Sequence, residues 1–153
     1  MILDTNAISA LLDGDPVIES ILSVADRHHI PVIALGEYRF GLLSSRRRKA
    51  LEGLLDTLEA ESFLLDPDAA TARSYAEVRQ ELKVSGKPIP ENDVWIAALA
   101  RQHKLAVVSC DAHFDAVPGI RCEGAGNLTW PDAAYPFMDP SIAPFTKYLW
   151  RNG

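Results

Sequence analysis

The stretch that decides the fold is PENDVWIAALA, at residues 90–100. It opens like a helix, with acids in the first turn, and continues as an almost unbroken apolar run. A helix that is apolar on all sides must be buried over most of its surface. Asp93 is therefore expected at the mouth of a core helix and not on an open flank.

Composition places the chain among ordinary globular proteins. It has 153 residues, of which 48% are hydrophobic and 24% charged, enough to build one domain with a real core. No apolar run reaches the length of a membrane span, and the first residues read as a strand without a leader peptide, so we expect a cytoplasmic protein with no membrane contact. The net charge of −6 argues against broad affinity for nucleic acid but leaves room for a local basic patch.

Strand-like and helix-like segments alternate along the chain. The strands are expected at residues 1–4, 30–34, 62–65 and 105–110, with a weaker one at 119–122. Helical patterns separate them, which predicts an α/β fold with a mainly parallel sheet. Local signals mark the helix ends: Asp15-Pro16 and Asp66-Pro67 as starts, Ser44 or Ser45 as a cap, and Gly86 as a stop.

The C-terminal part of the chain differs in composition from the rest. Residues 124–153 hold four prolines and half of the aromatic residues. We therefore divide the chain into a domain at 1–123 and an extension at 124–153. So many rings are expected to dock on the chain's own domain or on a neighbouring subunit.

Four acids occupy corresponding places in this pattern. Asp4 and Asp111 end the first and fourth strands, Glu37 lies at the turn into the helix after the second strand, and Asp93 begins the helix that leads into the fourth. In open parallel sheets, ligands bind outside the carboxyl ends of the strands. The acids are therefore expected to converge at that edge.

Four carboxylates at close range cannot all stay ionised unless a cation compensates them. All-oxygen ligands favour Mg²⁺ or Mn²⁺, and such an ion can activate water for attack on a phosphodiester. Thr5 and Asn6 would support the site by orienting water or holding Asp4. Asp115, one helical turn beyond Asp111, is a further candidate ligand or a plain solvated charge.

Each of these residues also has a purely structural interpretation. Asp4 and Asp111 could be turn residues, Asp93 a charge favoured by the helix dipole, and Glu37 a surface residue paired with Arg39. The basic run Arg46, Arg47 and Arg48 could bind RNA, or could be a solvated helix face. The histidines show no metal-binding spacing, and His113 is expected to have a structural or surface role.

The chain resembles the PIN-domain ribonucleases, specifically the VapC-type toxins of toxin–antitoxin pairs. The resemblance depends on four pieces in the family's order: residues 3–6 (LDTN), Glu37 with Gly41, residues 92–98 (NDVWIAA) and residues 109–114 (SCDAHF). It implies a three-layer α/β/α sandwich around a five-stranded parallel sheet. The extension from Gly124 departs from the family, which usually stops soon after the fifth strand.

The resemblance also implies a function. It implies RNA cleavage that depends on Mg²⁺ or Mn²⁺, with Asp4, Glu37, Asp93 and Asp111 as the catalytic and metal-binding set. Such toxins usually form homodimers and are held inactive by a cognate antitoxin. Two other functions stay open: a catalytically silent PIN-like module that binds RNA or protein, and an aspartyl-type phosphatase, against which Asn6 counts because that chemistry usually has an acid there.

Overall fold

The computed structural model describes residues 1–25 and 27–124. Helices and strands alternate along them, and a 3₁₀ turn at Ala112–Ala116 precedes the last strand. The strands are β1 (Ile2–Leu3), β2 (His29–Pro31), β3 (Phe63–Leu65), β4 (Val107–Val108) and β5 (Cys122–Glu123). The helices are α1 (Thr5–Leu12), α2 (Pro16–Ser23), α3 (Val32–Leu42), α4 (Arg48–Glu61), α5 (Ala69–Ser85) and α6 (Glu91–His103).

The five strands form one sheet in the order β3-β2-β1-β4-β5, and every pair is parallel. This confirms the expected α/β fold with a five-stranded parallel sheet. The chain builds outward from β1 to β3 and then returns to the other side of β1 with β4. Since the winding direction changes between β1 and β4, the crevice outside their carboxyl ends is the place where such sheets bind ligands.

The core lies along strands β1 and β4 and helix α6. Residues Ile2, Leu3, Val107 and Val108 are fully buried, as is most of α6 from Val94 onward. α5 packs against α6, and α1 packs against α2, α3 and α4. The buried alanines of α6 carry little bulk, so neighbouring elements can approach its axis closely. The apolar run therefore does form the core helix that the sequence predicts.

Several local signals act as expected. Asp15 caps α2 through the backbone N–H groups of Val17 and Ile18, and Pro16 is the first helical residue. Gly86 ends α5 with a left-handed φ of 69°, a conformation that costs glycine little.

Other boundaries differ from the predictions. α3 already begins at Val32, within the stretch predicted as the second strand, so Glu37 lies inside a helix and not at its start. Packing of α3 between α1 and α6 here outweighs the strand preference of β-branched residues.

Two predicted helix caps are also wrong. Asp68, not Asp66, caps α5, because it forms a reciprocal capping box with Thr71. Arg47 occupies the cap position of α4 without a side-chain cap, although the Ser45 hydroxyl accepts a bond from its backbone N–H. Proline and serine signals predict that a helix starts nearby but not which residue caps it.

None of the described helices combines the length and apolar character needed to cross a membrane. The predicted boundary at 123 falls beside the last described residue, Gly124. The rest of the predicted extension, residues 125–153, lies outside the part of the chain that the structure describes.

Candidate active site

Asp4 lies where β1 passes into α1. It caps that helix, with Oδ1 accepting a hydrogen bond from the Ala7 N–H at 2.7 Å. Its other oxygen accepts from the Ser109 hydroxyl at 2.5 Å. Ser109 follows β4, the sheet neighbour of β1, so this bond links the ends of β1 and β4. Both side chains are buried, which fixes Asp4 at the base of the crevice.

Asp93 and Asp111 meet at the imidazole of His113. Its Nδ1 lies 2.9 Å from Asp93 Oδ2 and 3.4 Å from Asp111 Oδ1. The Asp111 backbone N–H in turn donates to the Ser109 hydroxyl at 2.9 Å, and its carboxylate caps the 3₁₀ turn through the His113 N–H. The first turn of α6 and the end of β4 are thereby joined at the same edge as Asp4.

Glu37 approaches from the middle of α3. Its Oε2 accepts from the Thr5 hydroxyl at 2.6 Å, and its Oε1 accepts from the Asn92 amide at 2.7 Å. Thr5 is the residue after Asp4, and Asn92 is the residue before Asp93. These contacts bring Glu37 alongside the two helix starts that hold the other acids.

Burial and like charge act together on the carboxyl groups. Burial raises the pKa of Asp4 to about 7, with contributions in the same direction from Asp93 and Asp111, against the lowering effect of its hydrogen bonds. Burial also raises the pKa of Asp93 to about 6, and the neighbouring Asp111 and Glu37 add to the rise although His113 opposes it. The site therefore holds negative charge at an energetic cost, as expected where carboxylates crowd together in a poorly solvated place.

The donor set suits a hard divalent cation, because it consists of carboxylate oxygens together with a hydroxyl and an amide. Within residues 1–25 and 27–124, no three His, Cys, Asp or Glu side chains are already arranged as a metal site. In this arrangement the acids point to Ser109, His113, Thr5 and Asn92. The chemistry of the ligands fits a cation, and each carboxylate keeps lone pairs beyond those used by its present hydrogen bonds.

The structure thus brings together Asp4, Glu37, Asp93 and Asp111, as the strand-end pattern predicts. Their catalytic and metal-binding roles stay a prediction. The interpretation of Glu37 as a partner of Arg39 is wrong: Arg39 pairs instead with Asp56 and Glu59, at 3.0 and 2.6 Å.

The supporting residues need correction in part. Thr5 holds Glu37 and not Asp4, since its hydroxyl faces α3 while Asp4 is held by Ser109. Asn6 is half-buried in α1, and Asp115 is exposed on the 3₁₀ turn; their proposed roles stay predictions.

The basic run is exposed at the start of α4. Arg47 pairs with Asp13 and Arg48 with Glu52. These pairs fit the solvated helix face better than a cationic patch without partners, and RNA binding by Arg46, Arg47 and Arg48 stays a prediction.

Three residues of the site escaped the sequence analysis as functional candidates: Ser109, Asn92 and His113. Each lies within two residues of a predicted acid, and each has a side chain that can donate to a carboxylate. All three also lie in the pieces that carry the family resemblance, residues 92–98 and 109–114, although the sequence analysis gave them no role in the chemistry. His113, expected to have a structural or surface role, contacts two acids of the site through its Nδ1 atom.

Comparison with known proteins defines the class. Residues 1–120 match the family model described as "PIN domain". The match covers strands β1 to β4 and includes all four acids, so the chain belongs to the PIN-domain family.

Curated relatives narrow this class. Ribonuclease VapC5 of Mycobacterium tuberculosis is 34% identical in an alignment of 122 residues that covers 77% of this chain and 87% of that protein. VapC ribonuclease Y4jK of Sinorhizobium fredii is 35% identical, with 72% of this chain and 86% of that protein covered. DNA-bound VapBC from Salmonella typhimurium has the same fold, with a TM-score of 0.73 and 28% identity over 80% of this chain and 95% of that one. The resemblance to VapC-type PIN-domain toxins is thereby confirmed.

Proposed function

We propose that this chain is a divalent-metal-dependent endoribonuclease toxin, which hydrolyses RNA phosphodiester bonds and is neutralised by a cognate antitoxin. The observation that carries the proposal is the convergence of four carboxylates from α1, α3, α6 and the end of β4 at the switch point of the sheet. Relatives named as VapC ribonucleases support the reaction. The solved structure of VapBC-5 from Mycobacterium tuberculosis, described as a member of a family of toxin–antitoxin systems, supports the partner.

Asp4, Glu37, Asp93 and Asp111 would hold the cation, which we propose to be Mg²⁺ or Mn²⁺. When bound, such an ion acidifies a water molecule, orients it toward phosphorus and stabilises the leaving oxygen. Asp115 is the candidate for an outer ligand, because it lies on the same 3₁₀ turn as His113.

The chain's own residues prepare this site. The Ser109 hydroxyl donates a hydrogen bond to Asp4 and accepts one from the Asp111 backbone N–H, so a single hydroxyl links two of the acids. The Nδ1 atom of His113 contacts both Asp93 and Asp111, and the two helix starts bring Thr5 and Asn92 onto Glu37. These contacts pre-organise the acids, which lowers the reorganisation needed when cation and RNA bind.

The partners follow from the same reasoning. We propose an RNA substrate in the cytoplasm, a homodimer and a cognate antitoxin. An acidic crevice on an acidic chain favours a partner segment of positive charge. Arg46, Arg47 and Arg48 remain the candidate contact for the RNA backbone.

The test is cleavage-site mapping. Purified chain is incubated with total cellular RNA in Mg²⁺ or Mn²⁺, with a matched sample in excess EDTA, and new 5′ ends are sequenced. We expect discrete cuts that require the cation and that disappear when the antitoxin is added. Cutting that persists in EDTA would reject the metal-dependent reaction, and RNA binding without any cutting would favour the silent module.

A further inference from the structure

Glu37 differs from the other three acids in how it reaches the site. Asp4, Asp93 and Asp111 are short side chains placed by strand ends or by the first turn of a helix, whereas Glu37 projects from the middle of α3. A glutamate side chain has more rotamer freedom to lose than an aspartate when it is fixed. Something must therefore hold Glu37 in place.

Two neutral donors do so, one on each carboxylate oxygen. Thr5 Oγ1 donates to Oε2 at 2.6 Å, and Asn92 Nδ2 donates to Oε1 at 2.7 Å. Both donors and the acid are half-buried, so these charge-assisted bonds are partly shielded from water. Only the nitrogen of the Asn92 amide can donate to a carboxylate, so the orientation of that side chain is fixed as well.

The placement of the donors couples the acids to one another. Thr5 follows Asp4 on α1, and Asn92 precedes Asp93 on α6, so a shift of either helix start moves an acid and a Glu37 donor together. Each carboxylate oxygen has a second lone pair, which leaves Glu37 able to face a cation while both donors stay bound.

We propose that Asn92 is a positioning residue which, with Thr5, clamps Glu37 for cation binding. The proposal deepens the proposed function, because it takes Glu37 as one of the metal-binding acids. Asn92 itself touches neither the RNA nor the cation in this role.

The test measures Mn²⁺ binding by titration calorimetry, without RNA. Asn92→Ala should weaken Mn²⁺ affinity about 10-fold, within the ~10–100-fold range typical of residues that orient metal ligands. Thr5→Val should have a similar effect, and Thr5→Ser should restore affinity because it returns the hydroxyl. Glu91→Gln is the matched control on the same turn: Glu91 contacts Tyr75 and Arg79 instead of the acids, so affinity should stay within about twofold.

A mutant cycle separates positioning from general damage. In a Glu37→Gln background, Asn92→Ala should cause no further loss of Mn²⁺ affinity, because its target carboxylate is gone. In RNA cleavage, Asn92→Ala should lower kcat and leave KM nearly unchanged. Unaltered Mn²⁺ affinity in Asn92→Ala, or an equal loss in the Glu37→Gln background, would overturn the clamp. A parent chain that binds Mn²⁺ but cuts no RNA would overturn the proposed function, while the Mn²⁺ titrations would still decide the clamp.

Discussion

Aspartate and glutamate side chains have different kinds of partners in two regions of this protein. On the surface, carboxylates pair with arginines: Arg39 with Asp56 and Glu59, Arg48 with Glu52, and Arg101 with Glu81. In the crevice, the described contacts to the four acids come from hydroxyl, amide, imidazole and backbone N–H groups. Hydroxyl, amide and backbone N–H donors orient a carboxylate without cancelling its charge. The surface acids are thus compensated by arginines of the same chain, whereas the contacts described for the site acids mainly orient them; compensation by a cation stays part of the proposed function.

Asp93→Asn should produce the largest effect, a loss of RNA cleavage that an equivalent surface substitution does not cause. It keeps the size of the side chain but removes one charge from the crevice, so RNA cleavage should fall by more than the ~10–100-fold typical of orienting residues. The matched control is Asp56→Asn, which removes a carboxylate of the same type from a surface pair. Cleavage assays and Mn²⁺ titration on both variants check the prediction. Retained cleavage by Asp93→Asn would remove the distinction between the two regions.

His113→Ala should have the next largest effect. The imidazole Nδ1 contacts both Asp93 and Asp111, so its loss removes the group that holds these two carboxylates in place. Cleavage should fall about 10–100-fold, with helix content unchanged by circular dichroism. As a control, His103→Ala, at the exposed C-terminal end of α6, should cleave like the parent chain. Equal behaviour of the two histidine variants would return His113 to the surface role.

Uncompensated charge should also appear as a pH dependence of stability. The pKa values of Asp4 and Asp93 are raised to about 7 and about 6, above the value of about 4 for an unfolded aspartate. The folded chain therefore holds more of these protons between about pH 4 and 7, so their contribution to the free energy of unfolding falls as pH rises through that window.

Urea unfolding in EDTA at several pH values tests this. Relative to the parent, Asp4→Asn should gain stability at about pH 7.5 and gain little at about pH 4, since each pKa unit corresponds to about 1.4 kcal/mol at most. Mn²⁺ should stabilise the parent more at the higher pH. A difference between the two chains that does not change with pH would show that the charge of Asp4 costs nothing.

Neutralising Arg46, Arg47 and Arg48 together should have the smallest effect. Two of these side chains already pair with surface acids, and exposed pairs contribute about 0–1 kcal/mol to stability. If they also contact RNA, the slope of log affinity against log salt should fall by roughly one for each lost phosphate contact. Salt titrations with a fluorescent RNA measure that slope. An unchanged slope would make the run a solvated helix face like the other surface pairs.

The sequence predicted the order of strands and helices and the positions of the acids in that order. Signals such as Asp15-Pro16 and Gly86 act over a few residues, so they can be recognised without the fold. They failed at the start of α5, where Asp66 was predicted as the cap, because the reciprocal bonds with Thr71 make Asp68 the cap instead. The early start of α3 at Val32 likewise depends on packing against α1 and α6.

By itself, then, the sequence determined a parallel α/β chain with acids at the strand ends and helix starts. Only the tertiary structure decided which side chains donate hydrogen bonds to those acids. Ser109 donates to Asp4 from 105 residues away in the sequence, Asn92 donates to Glu37 from 55 residues away, and Thr5 donates to Glu37 from 32 residues away. The physical reason is the sequence distance over which each kind of interaction acts. Backbone preferences and caps are set by nearest neighbours along the chain, whereas a hydrogen bond between distant residues exists only after the core has packed and brought their elements together.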